Sequence, residues 1–305
     1  GTFSQRHSVL LDTDSAEKFI PLNFLRDGQA RYSVIDSLLS EEAALGFEYG
    51  YSVAAPSGLT LWEAQFGDFV NGAQIQIDQF LAAGEAKWHQ ACGLTLLLPH
   101  GYDGQGPEHS SARPERFLQL CAEGNLRVAI PSTPGQYFHV LRKQALSELR
   151  KPLVLFTHKS LLRLRAAGSM PDELADPRGF RAVLGDDDVD PAAVERVVLC
   201  SGKVYYDLVQ ARGNHPAAVV RLEQLYPFPG AELAEELVKF PNRKALVWCQ
   251  EEPQNMGAWT FVATWQRFDE YVGRPAAASP ATGFLQAHKV QQEALVARAL
   301  RGRGR

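Results

Sequence analysis

Two adjacent glutamates, Glu41 and Glu42, follow Ser40 at the start of a predicted helix. Serine is a favoured helix N-cap, and the helix dipole stabilises carboxylates in the first turn, so a structural role explains both. A carboxylate turned into an apolar pocket would instead share a proton with a ring nitrogen of a bound ligand. The spacing leaves both interpretations open and by itself favours the structural one.

A second group of residues brings aromatic rings close to glycines, in the run Trp62-Glu-Ala-Gln-Phe-Gly-Asp-Phe-Val-Asn-Gly-Ala-Gln74. Phe66 and Phe69 are three residues apart, and Gly67 and Gly72 permit another group to approach the backbone closely. Such rings could form a stacking platform for a planar heterocycle. Because the same spacing is typical of one face of a helix, ordinary core packing is the alternative, and the residues alone favour it.

The third group is a loop that carries two histidines, in Pro99-His-Gly-Tyr-Asp-Gly-Gln-Gly-Pro-Glu-His-Ser-Ser-Ala112. It follows an apolar run that predicts a buried strand, and ligands gather at such strand ends in open α/β sheets. His100 and His109 share the loop with Asp103, Glu108 and three glycines. The glycine spacing matches neither the dinucleotide fingerprint nor the P-loop. A functional site and a solvated loop are equally good interpretations at this point.

Alternating apolar runs and amphipathic segments must position these groups. In the first half of the chain, predicted strands alternate with helices, one of which opens at Ser132-Thr-Pro134 with a cap residue before a first-turn proline. The pattern restarts at the predicted strand Arg196-Val-Val-Leu-Cys200 and ends with predicted helices over 258–271 and 284–300. This alternation of strands and helices predicts the α/β class, with two doubly wound, mostly parallel-sheet domains.

Composition also indicates where one domain ends and the next begins. Residues 166–192 are rich in glycine, proline and aspartate, which is typical of an interdomain linker, and we predict a short helix within it. We therefore predict a first domain over 1–165 and a smaller second domain over 193–305. The acidic run Asp186-Asp-Asp188 within the linker predicts solvated charges.

Charge and hydropathy exclude several classes of partner. The net charge is -4 and no broad basic field is present, which argues against a nucleic acid partner. No apolar run approaches the roughly 18 residues of a membrane-spanning helix, and we see no signal peptide. The four cysteines have neither CxxC nor zinc-site spacing, so we expect reduced thiols in a cytoplasmic type of compartment.

Six longer motifs carry a resemblance to a known family. They are Gly1-Thr-Phe-Ser-Gln-Arg-His7, Glu63-Ala-Gln-Phe-Gly-Asp-Phe69, Leu97-Leu-Pro-His-Gly-Tyr-Asp-Gly-Gln-Gly-Pro-Glu-His-Ser-Ser-Ala-Arg113, Leu199-Cys-Ser-Gly-Lys-Val-Tyr-Tyr-Asp207, Glu223-Gln-Leu-Tyr-Pro-Phe-Pro229 and Trp248-Cys-Gln-Glu-Glu-Pro253. In this order they resemble the C-terminal part of the first component of 2-oxoglutarate dehydrogenases, which are thiamine-diphosphate-dependent and transketolase-like. The resemblance implies a transketolase-like pyrimidine-binding domain followed by a transketolase C-terminal-like domain.

The resemblance implies a cofactor role for one of the two glutamates. Glu41 matches the glutamate that contacts ring nitrogen N1′ of the aminopyrimidine, because relatives have that residue nine positions before a glycine that corresponds to Gly50. The neighbouring Glu42 does not have this spacing. The matched carboxylate would favour the imino form of the aminopyrimidine, while the cofactor would store the electrons released with carbon dioxide.

Other residues receive roles from the same resemblance. Phe66 matches the aromatic residue that stacks on the pyrimidine, and Phe69 is a second cofactor-binding candidate. His109 matches the active-site histidine of a Gly-Pro-x-His loop and would stabilise oxyanions or move protons, while His100 is a further substrate-loop candidate. Gln5 departs from relatives that have histidine there, so no role is carried over to it.

The implied reaction is oxidative decarboxylation of 2-oxoglutarate with transfer of the succinyl group to a lipoyl carrier, within the tricarboxylic acid cycle. The implied cofactors are thiamine diphosphate and Mg²⁺. We expect the Mg²⁺ ligands outside this chain segment, because it contains no recognisable diphosphate-binding motif. The 305 residues alone are therefore expected to be inactive.

The implied partners are a second copy in a homodimer, dihydrolipoyl succinyltransferase and dihydrolipoyl dehydrogenase. A bacterial chain would be cytoplasmic, and a eukaryotic one would lie in the mitochondrial matrix. Three alternatives stay open: a paralogue that acts on 2-oxoadipate, a 2-oxoglutarate decarboxylase or carboligase, and a non-catalytic scaffold. Retention of Glu41, Phe66 and His109 together argues against the scaffold.

Overall fold

A computed structural model describes residues 7–301, which form two five-stranded sheets, one small hairpin and surrounding helices. The strands are β1 (Leu10–Leu11), β2 (Lys18–Phe19), β3 (Leu61–Glu63), β4 (Thr95–Pro99), β5 (Arg127–Ala129), β6 (Leu153–Thr157), β7 (Val183–Leu184), β8 (Arg196–Cys200), β9 (Ala217–Leu222), β10 (Gln224–Tyr226), β11 (Ala245–Pro253) and β12 (Glu270–Arg274). The helices are α1 (Glu41–Ala54), α2 (Gln74–Gln76), α3 (Gly84–Trp88), α4 (Pro114–Gln119), α5 (Pro134–Leu146), α6 (Pro171–Leu174), α7 (Val204–Arg212), α8 (Gly230–Val238), α9 (Trp259–Trp265) and α10 (Leu285–Arg301). Across residues 7–301, no helix has the length and apolar character to span a membrane.

The first sheet has the strand order β10-β5-β6-β4-β3, and its four strands β3 to β6 are parallel. Nearly every residue of β4 and β6 is buried, as expected for central strands covered on both faces. Because these strands are parallel, their carboxyl ends lie at one edge of the sheet. The Trp62–Gln74 group follows β3 and the histidine-bearing loop follows β4, so both begin at that edge.

The second sheet has the order β12-β11-β8-β9-β7, with β8, β9, β11 and β12 parallel. Two mostly parallel sheets confirm the predicted fold class. The predicted helix over 258–271 is wrong in its second half, because α9 ends before Gln266, which is extended at φ -133° and ψ 129°. Glu270–Arg274 instead forms β12, in which Val272 is buried against β11. Tyrosine and valine in this segment favour such a strand.

The segment that the sequence analysis assigned to a linker is more ordered than an exposed connection. It contains α6, and β7 pairs antiparallel with β9 at the edge of the second sheet. The prediction of solvated charges is wrong for Asp186, which is buried, pairs with Arg212 and accepts the Val219 backbone N–H at 2.8 Å. The domain limits 1–165, 166–192 and 193–305 stay predictions.

Strand β10 connects the two halves of the chain by backbone hydrogen bonds. It lies after β9 in sequence, yet it pairs antiparallel with β5 of the first sheet, joining Gln224 to Ala129. The preceding residue, Glu223, is fully buried and accepts the backbone N–H of Ser132 at 2.7 Å. The three residues Gln224–Tyr226 are too short a segment to indicate from sequence the sheet to which they belong.

Candidate active site

Glu41 is the first residue of α1, and the local sequence explains why the helix begins there. Ser40 is extended, at φ -154° and ψ 119°, and its hydroxyl accepts the Ala43 backbone N–H at 3.2 Å. Glu41 is half-buried, whereas Glu42 is exposed. A Cβ built on Gly72 would lie 3.6 Å from Glu41 Oε2, so the carboxylate lies beside a backbone that has no side chain.

Three rings predicted from two separate motifs lie together. The ring centroids of Phe66 and His109 are 4.5 Å apart, with an interplanar angle of 87°. The Phe69 centroid lies 6.1 Å from that of Phe66 and 6.0 Å from that of His109. Both phenylalanines are half-buried and His109 is exposed. We call Phe66, Phe69 and His109 the aromatic cluster; its partial exposure means that it is not ordinary core.

A close backbone contact brings these motifs together. The 3-10 segment Gly67–Ala73 follows Phe66 directly. A Cβ built on Gly67 would lie 2.3 Å from Ala112 Cβ and 2.4 Å from the Pro99 carbonyl oxygen. Only glycine allows the chain after Phe66 to pass this close to both ends of the loop that carries His109.

We therefore predict that Gly67→Ala destabilises the first domain. The added methyl group must displace backbone rather than a flexible side chain, so the free energy of unfolding should fall by about 1–3 kcal/mol. Urea unfolding followed by tryptophan fluorescence checks this. Gly58→Ala is the matched control, because a Cβ there would make only an ordinary 3.5 Å contact. Equal stability of the two variants would contradict the prediction.

An ion pair also fixes the far end of the histidine-bearing loop. Arg113 has a left-handed backbone, at φ 55°, and its Nε donates to Asp68 Oδ1 at 2.9 Å. Asp68 is buried within the Gly67–Ala73 segment. The pair therefore joins the segment that follows Phe66 to the residue that follows the loop.

His100 has a different environment from His109. It is buried, and its ring contacts those of Tyr102 and Phe156. Its Nδ1 accepts the Ala112 backbone N–H at 3.1 Å, and its Nε2 lies 2.8 Å from Glu252 Oε1. Both ring nitrogens are thus engaged within the chain, and the structure does not place this ring in the aromatic cluster.

Comparison with known proteins identifies the first domain. Residues 1–165, more than half of the chain, match the family model described as transketolase, pyrimidine binding domain. The chain belongs to this transketolase pyrimidine-binding family. Residues 168–300 match a second family model, described as 2-oxoglutarate dehydrogenase C-terminal. These matches confirm the family that the sequence motifs predicted.

Three similar curated proteins share one name. The chain is 55% identical to the 2-oxoglutarate dehydrogenase E1 component of Cupriavidus necator over 97% of its length. It is 53% identical to that of Azotobacter vinelandii over 97% and 52% identical to that of Brucella anthropi over 98%. The chain spans about a third of the length of these relatives, 33%, 33% and 32% respectively.

The residues present fit the aminopyrimidine end of thiamine diphosphate, which the transketolase pyrimidine-binding family implies. A flat heterocycle needs an aromatic ring on which to stack, and a ring nitrogen that shares a proton needs a carboxylate. The aromatic cluster contains such rings, and the half-buried Glu41 could supply the carboxylate. Within residues 7–301, no group of three or more His, Cys, Asp or Glu side chains is suited to hold a metal ion.

Lys159 contacts the aromatic cluster and was not predicted from the sequence. Its Nζ lies 3.6 Å from the Phe66 ring centroid and donates to the Gln65 carbonyl oxygen at 2.5 Å. It follows β6, so its place after a predicted strand parallel to β4 was the available signal. A group that stacks on Phe66 must therefore use the opposite face of the ring or displace this ammonium group.

A cavity of about 1190 Å³ opens at the same sheet edge, and Lys159 is among the residues that line it. Other lining residues are Glu63, Pro99, Tyr137 and His158. Burial, with His100 and Lys203 nearby, lowers the pKa of His158 to about 3, so this imidazole is neutral near neutral pH. Lys159 therefore lies next to the aromatic cluster and lines a cavity with space for a small molecule.

Proposed function

We propose that this chain forms the aminopyrimidine half of the active site in a thiamine-diphosphate-dependent 2-oxoglutarate dehydrogenase E1 component. The observation that carries the proposal is the aromatic cluster with Glu41 beside Gly72, in a chain 52–55% identical to proteins of that name. The proposed reaction is decarboxylation of 2-oxoglutarate, followed by transfer of the succinyl group to a lipoyl carrier.

Four residues of the candidate site have proposed roles. Thiamine diphosphate, when bound, supplies the electron sink that decarboxylation of a 2-oxo acid requires. Glu41 holds a proton against ring nitrogen N1′ of the aminopyrimidine. Phe66 and Phe69 orient the ring and exclude water from one side of it. His109, at the exposed edge of the cluster, donates or accepts protons at the reacting oxygen atoms.

Several features of the whole enzyme are also proposals. Mg²⁺ requires oxygen ligands, and we propose that the protein's ligands to Mg²⁺ lie outside this chain segment. We propose a homodimer that works with a dihydrolipoyl succinyltransferase and a dihydrolipoyl dehydrogenase, because the relatives are named as one component of a set. The relatives named above are bacterial, which favours the cytoplasm over the mitochondrial matrix as the location.

The proposal is tested with the full-length enzyme that contains this chain. Purified enzyme should release carbon dioxide from 2-oxoglutarate only when thiamine diphosphate and Mg²⁺ are both present. It should reduce NAD⁺ only when the other two components are added together with coenzyme A, which accepts the succinyl group from the lipoyl carrier. Higher kcat/KM with 2-oxoadipate would favour the paralogue alternative, and carbon dioxide release without cofactor would refute the proposal.

A further inference from the structure

A buried carboxylate of the second sheet holds the loop that carries His109. We define the histidine loop as residues 100–112. Glu252 lies near the carboxyl end of β11, is 8% exposed, and has its Oε1 2.8 Å from Nε2 of His100, which is 5% exposed. The contact joins the first residue of the histidine loop to a strand 152 positions later in the chain.

The other ring nitrogen of His100 fixes the direction of this hydrogen bond. The Ala112 backbone N–H can only donate, so His100 Nδ1 accepts it at 3.1 Å. A neutral His100 therefore carries its hydrogen on Nε2 and donates it to Glu252. Burial alone would raise the pKa of the Glu252 carboxyl, but other interactions, of which the hydrogen bond with His100 is the largest, lower it below its ordinary value. Glu252 is thus a carboxylate acceptor that orients the ring.

This arrangement closes the histidine loop at both ends. The His100 ring links the first residue of the loop to its last residue, Ala112. Ala112 in turn lies against Gly67, where no side chain would fit, and Gly67 follows Phe66 directly. The position of His109 relative to Phe66 therefore depends on how firmly the loop ends are held.

Further contacts from the second half of the chain reach the same loop. The Lys203 amine lies 2.6 Å from Glu251 Oε1 and 3.7 Å from Asp103 Oδ1. Burial alone would lower the pKa of Lys203, but Glu251 and its other acidic neighbours raise it above its ordinary value, so the amine is charged. A Cβ on Gly104 would lie 2.4 Å from Leu285 Cδ1 of α10. The second sheet and α10 thus contact the loop at several residues, and Glu252 contacts it at its first residue, His100.

We propose that Glu252 is a positioning residue that acts through His100 to set His109 against Phe66. The inference rests on the proposed function, because it gives the C-terminal half of the chain a role in the reaction assigned to the first domain. Glu252 is not proposed to touch the substrate or the cofactor. Its effect should therefore appear in kcat and in the mobility of the loop.

The test compares Glu252→Leu and Glu252→Gln in the full-length enzyme, with the exposed Glu235→Gln as control. Leucine leaves the His100 N–H without an acceptor, so hydrogen exchange in loop peptides should be faster and kcat about 100-fold lower. The KM for 2-oxoglutarate should change little. Glutamine retains an oxygen acceptor without the charge, so kcat should fall only about 10-fold. Glu235→Gln should match the wild type in both measurements.

Wild-type loop exchange in Glu252→Leu would overturn the proposal, and so would faster exchange with unchanged kcat. Should the leucine variant not fold, Glu252→Gln decides alone, and unchanged exchange and kcat in it would overturn the proposal. A wild-type enzyme that does not decarboxylate 2-oxoglutarate would refute the proposed function instead. The exchange comparison would then still decide whether Glu252 holds the loop.

Discussion

Replacing Glu41 by glutamine in the full-length enzyme should reduce 2-oxoglutarate decarboxylation by about 10²–10⁴-fold, the usual contribution of a positioned acid or base. The side chain keeps its size and its place at the start of α1, so the fold should be retained. The amide cannot hold a proton against ring nitrogen N1′ as a carboxylate does. The measurement is the single-turnover rate of carbon dioxide release at saturating thiamine diphosphate.

Glu42→Gln is the matched control for this variant. Both residues lie in the first turn of α1, and both substitutions remove one carboxylate from the positive end of the helix. Glu42 is exposed and should be replaced without loss of rate. Near-normal turnover in Glu41→Gln, or equal losses in the two variants, would show that the carboxylate has no chemical role.

Replacing Phe66 and His109 one at a time should separate binding from chemistry. Phe66→Ala removes the central ring of the aromatic cluster, so thiamine diphosphate should bind about 10-fold more weakly or worse, in line with the 0.5–1.5 kcal/mol of an aromatic pair plus lost burial. His109→Ala should bind cofactor nearly as well as the wild type. Its rate of 2-oxoglutarate turnover should fall about 10²-fold or more because a proton donor is lost.

Calorimetric titration of thiamine diphosphate and pre-steady-state carbon dioxide release distinguish these two defects. Phe284→Ala is a useful control, because that ring is 78% exposed and belongs to the second half of the chain. It should affect neither measurement. If the Phe66 and His109 variants share one pure binding defect, the assignment of a chemical role to His109 is wrong.

The fold class and many elements could be predicted because their signals are local. The Thr133 cap and Pro134 begin α5 as expected, with the Thr133 hydroxyl accepting the Gln136 N–H. The strand Arg196–Cys200 has the predicted bounds. Residues 270–274 were instead predicted as helix, because a short strand at a sheet edge is specified by its pairing with β11 rather than by its own periodicity.

The aromatic cluster was predictable residue by residue, but its supports were not. Phe66 and His109 belong to motifs that can be compared with a family, and the structure brings their rings together. Glu252 lies 152 residues from His100, and no spacing rule links positions so far apart. Asp186 also shows this limit: in sequence it belongs to an acidic run, yet it is buried against Arg212.

The most direct test of the account is an experimental structure of the full-length enzyme with thiamine diphosphate and Mg²⁺ bound. We predict that ring nitrogen N1′ of the aminopyrimidine lies within hydrogen-bonding distance of Glu41 and that the ring stacks on Phe66. Mg²⁺ and the diphosphate should contact residues outside this chain segment. An aminopyrimidine bound elsewhere, or Glu41 directed to solvent with cofactor present, would contradict the central claim.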